Sequence, residues 1–224
     1  MDWTRSIDGY CERVDPGYWA EPINAVTNAA FLIAAFVMWR RTRGTGLPLA
    51  TALVVCLAGI GVGSFLFHTH AQVWAALADS GAIAVFALVY VFAANRDFWG
   101  LAGWRAWAAT ALFFPFVALT VPIFARLPFF EISSGYWPLP LLMLVYGLGL
   151  RARAPATGRG LLIAAGICTV SLTARSLDMP LCDAIPLGTH FLWHVLNGVL
   201  LGWMIAVYLR HDADARARGP HHGA

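Results

Sequence analysis

The sequence contains no lysine, because all 15 of its basic residues are arginine. A retinal protein holds its chromophore as a Schiff base on a lysine, so that class is excluded. Charged residues are also scarce, at 12% of the 224 residues, whereas 59% are hydrophobic and the mean hydropathy is +0.66. Soluble domains carry about 25% charged residues. The composition therefore predicts an integral membrane protein.

Other features are absent as well. The net charge is only +3, and no basic patch is interleaved with aromatic residues, so we expect no nucleic-acid partner. No obligate protein partner is evident either. The N-terminal segment lacks a short apolar core followed by a small-residue cleavage site, so we expect it to be retained.

Seven apolar stretches come close to or exceed the roughly 20 helical residues that cross about 30 Å of hydrocarbon. They cover residues 22–39, 48–67, 74–94, 101–124, 136–150, 160–177 and 188–209. We predict an all-α membrane protein, a seven-transmembrane helix bundle. Its parts are an extracytoplasmic N-terminal segment (1–21), a transmembrane domain (22–210) and a disordered cytoplasmic tail (211–224).

Arginine placement predicts the orientation. Loops one, three and five and the tail hold eleven arginines, whereas the opposite side holds four. Cytoplasmic loops are enriched in positive charge, so the N-terminus should lie outside and the C-terminus in the cytoplasm. A composition rich in Ala, Gly and Arg without lysine further indicates a bacterial source and the cytoplasmic (inner) membrane.

Three histidines should meet toward the outer leaflet. His190 and His194 are four residues apart in "GTHFLWHVLNG" and share one face of the last helix with Asn197. Such a pair alone is weak evidence, since helical histidines often bond to a carbonyl or pack at an interface. His68 in "GSFLFHTHA" lies at the same depth. Three histidines are the ligands of many catalytic zinc ions, so the set predicts a metal site.

Two more polar residues should join this layer. Ser64 precedes His68 by one helical turn, and Asp79 adds a carboxylate from the next helix. His70 lies two residues past His68 and points to a different side, so we expect it to be solvated. We expect the same of the tail histidines, which are His211, His221 and His222.

The N-terminal segment is rich in oxygen ligands, namely Asp8, Glu12, Asp15, Glu21 and Asn24. Hard oxygen ligands suit calcium, but an ordinary solvated acidic segment is the alternative. Glu21 opens a helix and gains from the helix dipole with or without a metal. Among the cysteines, Cys56 and Cys168 lie in the middle of apolar spans, so we expect them to be packing residues. Cys11 and Cys182 both lie on the extracytoplasmic side of the predicted topology and could form a disulfide.

Several motifs in order resemble the alkaline ceramidases, seven-helix membrane hydrolases of a wider group that includes the adiponectin receptors. They are "YCE" at 10–12, "AEPINAVTN" at 20–28, "GSFLFH" at 63–68, Asp79, and "HFLWHVLNG" at 190–198. The resemblance implies zinc on His68, His190 and His194, with Ser64 and Asp79 beside the water that the metal activates.

The same resemblance implies a calcium site near the N-terminus. Glu12 and Glu21 map onto it, and Tyr10 offers a backbone carbonyl. Gly9 stands where the family usually has an aspartate, so Asp8 or Asp15 is the candidate replacement. The pairing of Cys11 with Cys182 also has a counterpart in the family pattern.

The activity implied is zinc-dependent hydrolysis of the linear amide bond of ceramide, or of a related N-acyl membrane lipid, to a fatty acid and a sphingoid-type base. Asp79 would move the water's proton to the leaving amine, and Ser64 would donate to the developing oxyanion. One alternative is a receptor-like or signalling protein with a structural metal, in which Asp79 could be a fourth ligand. Another is an ion conductor, which would need a polar chain through the cytoplasmic half, where we find mainly aliphatic and aromatic residues.

Overall fold

The computed structural model describes residues 2–218, and over that range the chain is helical apart from turns and an isolated β-bridge between Ser6 and Gln72. The helices are α1 (Pro22–Thr27), α2 (Ala29–Thr42), α3 (Pro48–His70), α4 (Val73–Ala93), α5 (Trp104–Ala111), α6 (Phe113–Phe124), α7 (Pro138–Leu150), α8 (Pro155–Leu177) and α9 (His190–Arg218). A π-helical turn, Ala94–Phe98, extends α4, and short 3₁₀ turns cover Phe130–Ser133 and Met179–Leu181.

Six helical segments are long and apolar enough to cross a membrane. They are Pro22–Thr42, Pro48–His70, Val73–Phe98, Trp104–Phe124, Pro155–Leu177 and His190–Ala217. In Trp104–Phe124 only 6% of the most apolar stretch is buried, which suits lipid as the surrounding solvent. The fifth predicted span contains α7, which at 13 residues is shorter than a full crossing needs. Six long spans are therefore found in the described range, and a seventh crossing stays a prediction.

Prolines at the starts of helices and close contacts between helices determine how the bundle is arranged. Proline occupies the first position of α1, α3, α7 and α8, where its missing N–H costs nothing. Helix α9 packs between α2 and α8, and α3 packs between α2 and α4. As a result the C-terminal end of α3, the first turns of α4 and the start of α9 lie at the same end of the bundle.

Gly63 brings α3 against α4 near the predicted site. A Cβ at Gly63 would lie 3.0 Å from the Ala78 carbonyl oxygen and 3.2 Å from the Asp79 Cα, whereas one at Gly59 would meet nothing within 4 Å. We expect Gly63→Ala to push the helices apart and to cost about 1–3 kcal/mol. Gly59→Ala should instead be neutral or gain up to about 1 kcal/mol of helix propensity. Equal Tm values for the two variants in detergent would contradict this packing.

The predicted disordered tail is wrong for residues 211–218, because α9 continues to Arg218. His211 is buried, not solvated. Its Nδ1 lies 2.7 Å from the Thr157 hydroxyl and its Nε2 lies 3.2 Å from the Asp97 carbonyl oxygen. These partners on α8 and on the π-helical turn hold the last turns of α9. Residues 219–224, with His221 and His222, lie outside the described residues.

The end of the bundle that holds the π-helical turn Ala94–Phe98 is more polar than we predicted. The Asp97 carboxylate accepts hydrogen bonds from Arg96 at 2.7 Å and from the Tyr208 hydroxyl at 2.6 Å. Nearby, the Tyr146 hydroxyl donates to Asn95 at 2.8 Å. These hydrogen bonds join the π-helical turn after α4 to α7 and α9, at the end of the bundle opposite the histidines.

Candidate metal centre

Three buried histidines converge at one end of the bundle. His68 comes from the last turn of α3, and His190 and His194 come from the first turns of α9. Each is at most 1% exposed. One ring nitrogen from each lies within 4.8 Å of the other two, which is true of no other group of three His, Cys, Asp or Glu residues in 2–218. The structure therefore brings together the three predicted ligands.

The hydrogen bonds of two rings leave their inner nitrogens facing each other. The Nδ1 of His68 lies 2.6 Å from Glu21 Oε2, a carboxylate oxygen that can only accept. The Nδ1 of His194 lies 2.9 Å from the Thr27 hydroxyl, which itself donates to the Ile23 carbonyl oxygen at 2.7 Å and so accepts from the histidine. Both Nδ1 atoms then carry the proton, and both Nε2 atoms carry lone pairs.

Those two Nε2 atoms are 3.1 Å apart. Two lone pairs at that separation repel unless a cation lies between them or beside both. Because burial keeps water from screening the repulsion, the arrangement is favourable only with a shared positive charge. The chemistry of this donor set therefore fits a metal ion held by His68 and His194.

The third histidine completes the set from the neighbouring turn. The Nδ1 of His190 is buried and has no hydrogen-bond partner among the described residues. The Tyr10 ring stacks on this imidazole, with ring centroids 3.7 Å apart. Burial raises the pKa of the Tyr10 hydroxyl, so the ring stays neutral. Tyr10 thus contacts the site through its side chain, whereas we predicted only a role for its backbone carbonyl.

Asp178 fixes the start of α9, where two of the histidines lie. Its Oδ1 accepts hydrogen bonds from the backbone N–H groups of Thr189 at 2.7 Å and His190 at 2.8 Å. A negative charge at a helix N-terminus is stabilising. Its Oδ2 accepts from the Cys11 N–H at 2.9 Å, and Cys11 forms a disulfide with Cys182. The N-terminal segment is thereby anchored beside α9.

Ser64 and Asp79 lie next to each other at this end. Ser64 is 2% exposed and precedes His68 by one turn of α3. Gly63, next to Ser64 in α3, lies against the Asp79 backbone of α4, because a Cβ there would be 3.2 Å from the Asp79 Cα. The Oδ1 of Asp79 is buried and has no hydrogen-bond partner within residues 2–218. A carboxylate oxygen with a free lone pair is able to accept a proton.

Arg175, which we counted only as one of the four arginines on the outer side, is a neighbour of the site. It donates to the Ser133 hydroxyl at 2.8 Å and to the Tyr10 hydroxyl at 3.3 Å. Its guanidinium also lies 5.2 Å from the ring centre of Tyr136 and 5.8 Å from that of Trp193. It forms no salt bridge with a carboxylate of the described chain. Its Nη1 also donates to the Ile132 carbonyl oxygen at 3.3 Å, so its positive charge is held by aromatic rings, hydroxyls and a carbonyl.

The predicted calcium ligands do not converge. Glu12 accepts hydrogen bonds from two backbone N–H groups of α1, at 2.6 and 2.8 Å, so it caps that helix. Asp8 and Asp15 are exposed. The carbonyl of Tyr10 accepts from the Arg13 N–H at 3.1 Å. These residues do not fit a calcium ion, and no step below uses one.

Glu21 instead pairs with three side chains, and Asn24 Nδ2 donates to its Oε2 at 3.2 Å. One oxygen lies 2.6 Å from the Arg13 Nε and the other 2.6 Å from the His68 Nδ1. Burial raises the pKa of Glu21, but the hydrogen bond from His68 and the hydrogen bond and charge of Arg13 outweigh it, so the pKa lies below its ordinary value. Glu21 is therefore an ionised partner of the histidine.

His70 lies away from the cluster. It is exposed, and its ring contacts Tyr18 and Trp74 at centroid distances of 5.2 and 5.1 Å. The predicted solvent exposure of His70 is confirmed.

Two apolar cavities lie below the histidines. The smaller, about 40 Å³, is lined by residues that include Phe31, Trp193 and Asn197. The larger, about 70 Å³, reaches Tyr90 and Ala94 toward the opposite end. Five residues line both cavities, namely Ile60, Ile83, Leu139, Met143 and Leu201. The two cavities are therefore adjacent to each other inside the bundle.

Comparison with known proteins is consistent with this site. A family model described as Ceramidase matches residues 4–151, which is more than half of the chain. Ser64, His68 and Asp79 lie inside the match, and the geometry adds His190 and His194 from α9. No curated protein matches the sequence. The chain is thus a membrane protein that belongs to the ceramidase family.

Proposed function

We propose that this chain is a zinc-dependent intramembrane amidase, which hydrolyses ceramide or a related N-acyl lipid to a fatty acid and a sphingoid-type base. The observation that carries the proposal is the pair of Nε2 lone pairs of His68 and His194, 3.1 Å apart and joined by His190. Three neutral imidazoles favour zinc and leave a coordination position for a non-protein ligand. When bound, zinc would activate water for attack on an amide carbon.

Asp79 is the proton carrier in this proposal. Its unpartnered Oδ1 accepts a proton from the attacking water, and the same oxygen then delivers it to the nitrogen as the C–N bond breaks. The water oxygen is thereby added to the acyl carbon, which leaves as the fatty acid. The amine leaves with the proton that Asp79 carried.

Ser64 acts on the carbonyl oxygen of the substrate amide in this proposal. Its hydroxyl donates a hydrogen bond to the substrate oxygen as negative charge develops there, which is worth about 10²–10³ in rate for a single oriented donor. Because Ser64 is 2% exposed and lies one helical turn before His68 on α3, packing restricts its side chain before substrate binds.

The apolar cavities support a lipid substrate. Their linings are almost entirely hydrocarbon and aromatic side chains, so a lipid chain entering them exchanges one apolar environment for another. A water-soluble amide would gain nothing from such apolar cavities. We further propose that this end of the bundle faces the outer leaflet of a bacterial cytoplasmic membrane, as the arginine distribution predicts.

A structural metal with Asp79 as a fourth ligand is the alternative. It has less support, because the group whose ligand atoms lie within 4.8 Å of one another holds the three histidines without Asp79. An ion conductor has less support. The polar cluster around Asp97 is separated from the histidines by the apolar cavity linings.

The proposed activity is tested with purified, zinc-loaded protein and ceramide in mixed micelles. Mass spectrometry should detect equal amounts of fatty acid and sphingoid base. A matched ester with the same chains tests whether the amide is preferred, and a short water-soluble amide should not be cleaved. Release of neither product from ceramides of several chain lengths would contradict the proposal.

Thr27 offers a test of how His194 is oriented. Thr27→Val keeps the size of the side chain but removes the acceptor of the Nδ1 proton. Loss of such an outer partner should weaken zinc binding about 10–100-fold. Thr120→Val is a matched control, because the Thr120 hydroxyl bonds only to the Phe116 carbonyl within its own helix. Competition with a chromophoric chelator measures both affinities, and equal values would contradict the assigned tautomer.

A further inference from the structure

The side chain of Arg13 is enclosed by oxygen atoms. Its Nε donates to Glu21 Oε1 at 2.6 Å, and its Nη2 donates to the His68 carbonyl oxygen at 3.3 Å. Its Nη1 donates to the carbonyl oxygens of Asp15 at 3.1 Å and Gly17 at 3.4 Å. The side chain is only 3% exposed. One carboxylate and three carbonyls thus surround a buried positive charge, and we call them the oxygen cage.

The oxygen cage joins the N-terminal segment to the metal centre. Arg13 contacts His68 twice, directly at the backbone carbonyl and indirectly through Glu21, which bonds to the imidazole. The carboxylate and two of the carbonyls come from the N-terminal segment, and the third carbonyl comes from the last turn of α3. Without a cation among them these oxygens would repel one another in a buried place.

We propose that the Arg13 guanidinium serves as the built-in cation of the N-terminal segment and holds Glu21 against His68, so that this chain needs no calcium there. Arg13 is thus a positioning residue for a metal ligand. The part that concerns His68 rests on the proposed metal site, whereas the part that concerns calcium does not.

The chemistry favours arginine over a divalent ion in this cage. Calcium needs six to eight oxygens at about 2.3–2.6 Å, whereas this cage has four, at N–O distances of 2.6 to 3.4 Å. The planar guanidinium supplies donors in three directions, which suits carbonyls that come from separate segments. A calcium ion and the guanidinium would also repel each other in the same space.

The first experiment titrates Ca²⁺ and EGTA into the wild-type full chain in detergent and follows Tm and bound zinc. We expect neither to change at millimolar Ca²⁺. A rise in Tm with Ca²⁺, or a loss of stability in EGTA with zinc kept saturating, would overturn the inference.

The second experiment compares Arg13→Ala with Arg5→Ala, which removes an exposed arginine of the same segment. We expect Arg13→Ala to weaken zinc binding at least about 10-fold, and Arg5→Ala to leave it unchanged. Millimolar methylguanidinium should restore the affinity of Arg13→Ala, whereas the same concentration of ethylammonium should not. A merely structural side chain would not be replaced by a small cation of matching shape.

Unchanged zinc affinity in Arg13→Ala, or no rescue by methylguanidinium, would contradict the positioning role. If Arg13→Ala does not fold, Arg13→Lys serves instead, since it keeps the charge but not the fork of donors. We expect it to fold and to bind zinc more weakly than wild type, and wild-type affinity would contradict the inference. Because none of these measurements uses a substrate, failure to cleave ceramide would leave them valid.

Discussion

His194→Ala is expected to lose both bound zinc and hydrolysis. The change removes one of three nitrogen ligands that lie within 4.8 Å of one another, so the metal keeps only two protein ligands. Metal activation supplies several kcal/mol of transition-state stabilisation, so we expect activity to fall at least about 10³-fold. Zinc content by mass spectrometry and fatty-acid release from ceramide measure the two effects on one preparation.

The control for this variant is His70→Ala. His70 is a histidine on the same helix as His68 but is exposed and contacts only Tyr18 and Trp74. The His70→Ala variant should keep one zinc per chain and wild-type turnover. Full activity in His194→Ala, or the same losses in His70→Ala, would contradict the assignment of the metal centre.

Asp79→Asn should separate metal binding from catalysis. Asparagine has nearly the same shape as aspartate, but its amide oxygen cannot take up a proton at ordinary pH. We therefore expect zinc content to stay at one per chain while kcat falls about 10²–10⁴-fold, the usual contribution of a general acid–base group. KM should change little, because the lipid chains bind elsewhere.

This variant also decides between an enzyme and a structural metal site. If Asp79 were a fourth ligand of a closed site, Asp79→Asn would lose zinc along with stability. Retained zinc with lost turnover supports the proton-carrier role. Retained zinc with retained turnover would leave Asp79 without a catalytic function and contradict the mechanism.

The sequence was sufficient to predict that the three histidines lie together because helical geometry is local. Four-residue spacing places His190 and His194 on one face whatever the rest of the fold does. Alternation of apolar spans then puts His68 at the same end of the bundle. The lengths of α7 and α9 were less predictable. Buried partners such as Thr157 hold the last turns of α9 in a way that its polar composition does not indicate.

The partners of the ligands could not be predicted, because they come from turns and helix ends. Thr27, Asp178 and Arg13 reach the centre only once the N-terminal segment has folded onto α3 and α9. The acidic composition of that segment indicated calcium, yet the arginine among the acids was the useful signal. A buried carboxylate is satisfied as well by a guanidinium as by a metal ion.

The central claim is that zinc held by the three histidines is required for hydrolysis of a membrane lipid amide. The most direct test removes metal from the purified protein with a chelator, adds zinc back in steps and measures fatty-acid release from ceramide at each step. We predict no release without metal and a linear return that saturates at one zinc per chain in wild type, with no return in His194→Ala. Hydrolysis that persists at full rate without metal, or that returns equally in His194→Ala, would contradict the account.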